Sequence, residues 1–190
     1  MRCFYLKAEV LILLNDIDGA KRYIHQGKKI VDQYNLTGPY LIAGYLIAKF
    51  MLDIQILKRA LISGTDPDLS NLKRRAYRSG NTALRKLKNY AKFRTKTLRL
   101  SGEYYWLIGK QNKALKWWDK AVKKGEELGA RPDLSRTYFE IGKALLDPKS
   151  KYREWDGVSA KEYLEKAKTM FQDMDLQYDL DELDKITHLS

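Results

Sequence analysis

One spacing constrains this chain more than any other: a small residue, a large one and a small one at positions i, i+4 and i+7. Ala114, Trp118 and Ala121 carry it, and Ala160, Leu164 and Ala167 carry it again. Residues three and four apart share a face of an α-helix, so each triplet marks one helical stripe. Ahead of each lies a stripe with glycine at its centre: Leu98, Gly102 and Tyr105 before the first, Tyr138, Gly142 and Leu145 before the second. Glycine or alanine lets two helix backbones approach, and a Trp or Leu beside it fills the space at the crossing. Residues 94–167 therefore read as two consecutive helical hairpins.

The same register extends toward the N-terminus. Phe4, Ala8 and Leu11, then Ala20, Ile24 and Gly27, give a first hairpin, and Tyr40, Gly44 and Ile47 open a second. The partner stripe of that second hairpin is Ala83, Leu87 and Tyr90, or Leu84, Leu87 and Ala91 in an alternative frame. Either lies about twenty residues later than a tetratricopeptide (TPR) period of 34 allows, so an insertion is expected there. The expected fold is all-α, a TPR-like right-handed superhelical solenoid in one domain. Its repeats fall at 1–36, 37–93 with the insertion, 94–130 and 131–175, with a capping helix in 176–190.

Local signals set the expected boundaries. Helices are expected over 2–14 and 20–34, separated by a turn at 15–19. Thr37 is placed to cap the next helix, with Pro39 just inside it, and that helix runs toward Leu61. A turn at Gly64-Thr65-Asp66-Pro67 and a break at Ser79-Gly80-Asn81 precede a helix over 82–93. Helices over 94–108 and 113–128 flank Gly109-Lys110-Gln111-Asn112, and Gly129 ends the second of them. Pro132 opens a helix that stops at Asp147-Pro148, and a loop to Gly157 follows. Ser159 with Glu162 forms a capping box for a helix over 160–174. Leu180, Leu183 and Ile186 give the tail, 177–186, one apolar side and an acidic outer face. The first helix starts without a cap and is apolar on more than one side, which leads to the expectation that the chain is a piece of a longer protein.

Charge is unevenly placed. Of the net charge of +12, nearly all comes from residues 70–99, where eleven Lys and Arg residues meet no Asp or Glu. The other end is acidic, with Asp173, Asp175, Asp179, Asp181, Glu182 and Asp184. The apolar run 41–52 is interrupted by Lys49 and is too short to span a bilayer, and the N-terminus lacks a signal-peptide layout. A cytoplasmic protein without a membrane partner is expected. Cys3 has no second cysteine to pair with and reads as a core thiol; with only His25 and His188 beside it there is no metal-site spacing, and no cofactor motif occurs. His25 reads as an exposed or hydrogen-bonded side chain. No nucleophile elbow or phosphate loop is present, so a non-enzymatic role is expected. Among the four tryptophans, Trp118 belongs to the core and Trp117 to its edge, leaving Trp106 and Trp155 as candidate contact residues.

Two surfaces can bind something. In stacked hairpins of this type the first helix of each pair lines a concave groove. Projected here, that rule assigns Lys96, Arg99, Glu103 and Trp106 from one repeat and Arg136, Phe139 and Lys143 from the next. Cations beside aromatic rings suit a protein partner or an acidic peptide, whose carboxylates take charge-assisted hydrogen bonds while its apolar side chains pack on the rings. The second surface is the basic stretch itself, with Arg74, Arg75, Arg78, Arg85, Lys88 and Lys92 as a polyanion patch and Tyr77, Tyr90 and Phe93 interleaved. Nucleic acid is the alternative partner there, and the acidic tail of a second copy another.

Residues 95–186 also carry a family resemblance. The segments ALKWW, LGARPDLSRTY, LLDPKSKY and DLDEL resemble the C-terminal MalT-like TPR region of large bacterial signalling proteins. Those proteins join an adenylate/guanylate cyclase or a kinase to an AAA-type ATPase. The resemblance implies a regulatory or sensing module whose repeats hold partners. It brings no activity, since no cyclase aspartates or nucleotide loop match this chain.

Overall fold

The computed structural model describes residues 2–64 and 68–187. Within them the chain is all-α apart from one very short hairpin. The helices are α1 (Arg2–Leu13), α2 (Ile17–Gln33), α3 (Pro39–Ser63), α4 (Leu69–Lys86), α5 (Ala91–Leu107), α6 (Gln111–Leu128), α7 (Arg131–Leu146), α8 (Ala160–Asp173) and α9 (Gln177–Thr187). Strands β1 (Glu154–Trp155) and β2 (Val158–Ser159) pair antiparallel between α7 and α8. Two compact units divide the chain, residues 1–100 and 101–190.

In the first unit, α1, α2 and α3 close around one ring. Tyr5 is 3% exposed, and a Cβ added at Gly27 of α2 would stand 2.4 Å from that ring, one added at Gly44 of α3 2.8 Å from it. Glycines on two helices thus make the slot for an aromatic on a third. Ala8, Ile12, Ala20, Ile24 and Leu52 complete this core. Asn15 takes a left-handed backbone at the α1–α2 turn, and its side-chain oxygen accepts from Gln55 and Arg59 of α3. α3 has the length and hydropathy to cross a membrane, yet 61% of that window is buried inside the protein. It is a core helix, and Phe50, Ile54 and Leu57 face α4 or the interior.

Several local expectations need correction in this unit. Ser79-Gly80-Asn81 does not break a helix, because α4 runs unbroken from Leu69 to Lys86. Gly80 sits at the α3–α4 crossing, where an added Cβ would meet the Phe50 ring at 2.6 Å. The chain turns later, at 87–90, so no helix covers 82–93 and α5 starts at Ala91. The extra length expected as an insertion lies within the helices, α3 having 25 residues and α4 18. Gly38, and not Thr37, is the N-cap of α3. α2 begins at Ile17, capped by Asp16, whose Oδ1 accepts from the Gly19 amide at 2.8 Å. Cys3 is exposed, on the side of α1 away from Tyr5 and Ala8. Residues 65–67 of the expected turn, and His188, lie outside the described residues.

The second unit follows the small-residue register closely. A Cβ at Gly102 would lie 2.3 Å from Trp118, and one at Gly142 2.7 Å from Leu164. Ala114, Ala121 and Ala167 are fully buried. Gly129 ends α6 at a φ of +60°, the left-handed geometry that glycine adopts without a Cβ clash. The capping box on α8 is formed, with the Ser159 amide donating to Glu162 at 2.8 Å. The loop expected before it contains a tight turn: Asp156 and Gly157, both at positive φ, join β1 to β2 as an Asp-Gly hairpin does.

Three tyrosines, Tyr5 and Tyr163 buried and Tyr138 half-buried, give this fold an alkaline limit. Burial, with smaller contributions from Tyr45 and Asp32, pushes the Tyr5 hydroxyl up to about 12. Burial, helped by Asp156 and Asp119, does the same to Tyr163, again to about 12. Tyr138 is raised too, by burial and then by its hydrogen bond to Glu126. A raised folded-state pKa favours the native form fully below the unfolded value, near 10, and that preference fades as pH rises through the folded value. Stability should hold to about pH 10 and fall between there and about 12. Tyr5→Phe should flatten this fall in urea titrations at pH 7 to 11. Its buried hydroxyl has no hydrogen-bond partner among the described residues, so the substitution should raise stability at neutral pH by up to about 1 kcal/mol.

Candidate functional site

α7 carries the most developed arrangement. Pro132 and Asp133 in its first turn suit a helix start, the proline lacking the N–H that would go unpaired and the carboxylate facing the positive end of the dipole. Arg136, Phe139, Glu140 and Lys143 then recur at three- and four-residue spacing, hence on one face. Glu140 accepts from Lys143, whose ammonium stands 5.0 Å from the centre of the Phe139 ring. Arg136 makes a two-point pair with Asp179 of α9, Nε to Oδ1 at 2.8 Å and Nη2 to Oδ2 at 2.7 Å. Beneath this pair, Phe139, Phe171 and Leu183 pack with Leu164 and Ala167, the two phenylalanine rings meeting edge to face. Leu176, Leu180 and Ile186 close the rim of the cluster.

The acidic tail helix therefore lies on the cationic, aromatic face read from sequence in α7. Phe139, expected as an open apolar anchor, is 9% exposed and is a core residue. Of the other assigned positions in the second unit, Glu103 and Trp106 are half-buried, Trp106 lying 5.8 Å from Trp118. In the first unit Lys96 donates to Glu9 at 2.6 Å, and Arg99 is buried, so it lines no open wall. Trp155 is half-buried against Tyr152 in the β-hairpin, and Trp117 stacks on Tyr105. One surface that sequence reasoning missed is an open cleft of about 620 Å³ between Tyr138 and the outer side of α8, lined also by Lys161, Glu165, Lys166 and Met170. Lys166 sits 5.8 Å from both the Tyr138 and Tyr163 rings there. Lysines and glutamates on the outer side of a helix are ordinary solvated residues in sequence, so no signal could have singled this cleft out.

The polyanion patch separates into two parts. Leu72, Ala76, Ser79, Gly80 and Ala83 form the inward side of α4, with its C-cap Leu87 buried after them; this turns Arg74, Arg78 and Arg85 outward as one stripe, and Lys88 is exposed in the turn that follows. Arg78, Arg85 and Lys88 make no ion pair with any described residue, and Tyr77 beside them is 45% exposed. Arg74 donates to Asn71. Arg75 is committed elsewhere, its Nε donating at 2.8 Å to the buried Asp53, which Lys49 also pairs. Lys92 belongs to α5 and lies over the Phe93 ring. Arg85 and Lys86 in the last turn of α4 also face the negative end of its dipole, a structural use for part of the charge.

Among the described residues no group of three or more His, Cys, Asp or Glu side chains is placed to hold a metal ion. His25 is exposed on α2. No protein-family model, no curated protein and no solved structure matches the chain.

Proposed function

We propose that this chain is a non-catalytic protein-interaction module of TPR-like helical hairpins, and that it holds an acidic segment of a partner on the α7 face marked by Arg136, Phe139 and Lys143. The observation that carries the reading is the Arg136–Asp179 pair over an aromatic floor. An acidic helix already sits there, and it uses the chemistry that an acidic partner would use: a two-point guanidinium–carboxylate bond with leucines packed on rings. The resemblance of residues 95–186 to cyclase-linked repeats extends this to a regulatory role in the cytoplasm, as part of a larger signalling protein.

A second reading has its own support. The outward stripe of α4 with Arg78 and Arg85, and Lys88 in the turn after it, all three lacking counter-charges among the described residues, suits a nucleic-acid backbone. Fluorescence anisotropy separates the two at 50 and 200 mM salt. One probe is an acidic helical peptide of unrelated sequence with Asp, Leu and Ile at i, i+4 and i+7, and the other is a single-stranded oligonucleotide. The first reading expects peptide binding that Arg136→Glu abolishes and that the triple change Arg78→Glu, Arg85→Glu, Lys88→Glu leaves intact. Oligonucleotide binding alone, with a steep salt slope and loss in the triple variant, would overturn it in favour of the second.

A further inference from the structure

We infer that the surface of α7 and α8 beneath α9 is a docking site for an acidic amphipathic helix, and that α9 is its resident, exchangeable occupant. This deepens the reading above and rests on it. The contacts of α9 define what the site accepts. Asp179 supplies the carboxylate to Arg136, Leu183 enters the aromatic floor at 2% exposure, and Leu180 and Ile186 flank it. Asp181 and Asp184 point to solvent. The recognised pattern is a carboxylate at i, a leucine at i+4 and an isoleucine at i+7, on a helix whose far side is acidic.

Three features make the occupant exchangeable. At eleven residues α9 is shorter than the roughly 12–15 that an isolated helix needs in water, so it is helical because it is docked. Leu183 is its one fully buried side chain, and elements with few buried apolar groups open at the low end of local stability. It joins α8 through residues 174–176, where Asp175 at a φ of +52° and the Leu176 amide, donating to the Phe171 carbonyl, close the end of α8, so α8 keeps its own cap whether or not α9 is docked. Departure of α9 would uncover Phe139 and Phe171 beside Arg136. Arg131, paired to Asp173 of α8, would remain at the rim. A partner helix then competes with α9, and its apparent affinity is the intrinsic one reduced by the fraction of open molecules.

The test uses the full chain and a fluorescein-labelled peptide with the sequence of residues 175–187. Asp179→Lys in the chain removes the tie to Arg136 and should tighten capture of the peptide at least about tenfold, since more molecules are open. Arg136→Glu should abolish capture, and a peptide carrying Asp179→Lys should recover it on that variant. Unchanged affinity in Asp179→Lys, or no recovery with the swapped peptide, would overturn the inference. A second measurement holds if a variant fails to fold: in the wild-type chain, excess peptide should move the amide resonance of Leu183 toward that of an unfolded segment, and an unmoved resonance at saturation would contradict exchange. The unrelated acidic peptide separates the two claims. If it binds without moving Leu183, the interaction reading stands and exchange fails; if only the chain's own sequence is captured, exchange stands and the wider reading fails.

Discussion

Gly102→Ala should lower the unfolding free energy by about 2 kcal/mol, although alanine favours a helix over glycine by about 1 kcal/mol. The new methyl would stand 2.3 Å from Cδ1 and Nε1 of Trp118, a ring 1% exposed with no room to retreat. Trp118→Ala should cost about 3–5 kcal/mol through lost burial and the cavity left behind. In that background the sign reverses. The methyl added by Gly102→Ala would enter vacated space and keep its helix preference, so the double variant should be more stable than Trp118→Ala by about 1 kcal/mol. Urea unfolding followed by circular dichroism reads all four corners of the cycle. A neutral Gly102→Ala, or strict additivity, would remove the crossing from the account of the fold.

A second large effect is expected at Asp53. This carboxylate is 3% exposed and is held by Arg75 at 2.8 Å and Lys49 at 3.2 Å. Arg75→Met should cost about 2–3 kcal/mol, because it leaves a buried charge with one half-exposed partner. Asp53→Leu combined with Arg75→Met should recover most of that loss, since apolar replacement of a buried ion pair is often neutral or favourable. Thermal melts of the single and double variants at pH 7 test it. A double variant less stable than Arg75→Met would contradict the expected coupling. The result also bears on the basic stretch, for an arginine spent on Asp53 is withdrawn from any phosphate.

Features that repeat within a few residues were legible in the sequence. The stripes around Gly102, Trp118, Gly142 and Leu164 declared helix crossings because the helical period alone puts them on one face. Ser159 and Glu162 declared a cap for the same local reason. Gly80 was misread because glycine both breaks helices and lets them touch, and which applies depends on Phe50, thirty positions away in sequence. The Asp156-Gly157 turn was legible in principle, since Asp-Gly between short extended segments is a hairpin signal. The partners of Arg136 and Lys96 were not. Asp179 is 43 residues from Arg136, and Glu9 is 87 from Lys96, so charge spacing identified cations able to bind a carboxylate without naming the carboxylates that already do. Reading α7 as an open wall failed at Phe139 for that reason.

The central claim is that a displaceable acidic helix covers a cationic, aromatic face. Native-state amide hydrogen exchange on the wild-type chain tests it most directly. The expected result is that amides of α9, including that of Leu183, exchange through a local opening of clearly lower free energy than amides of α7 and α8, whose own protection persists. Exchange of the α9 amides only through the same global unfolding that exposes Ile141 and Phe171 would contradict it.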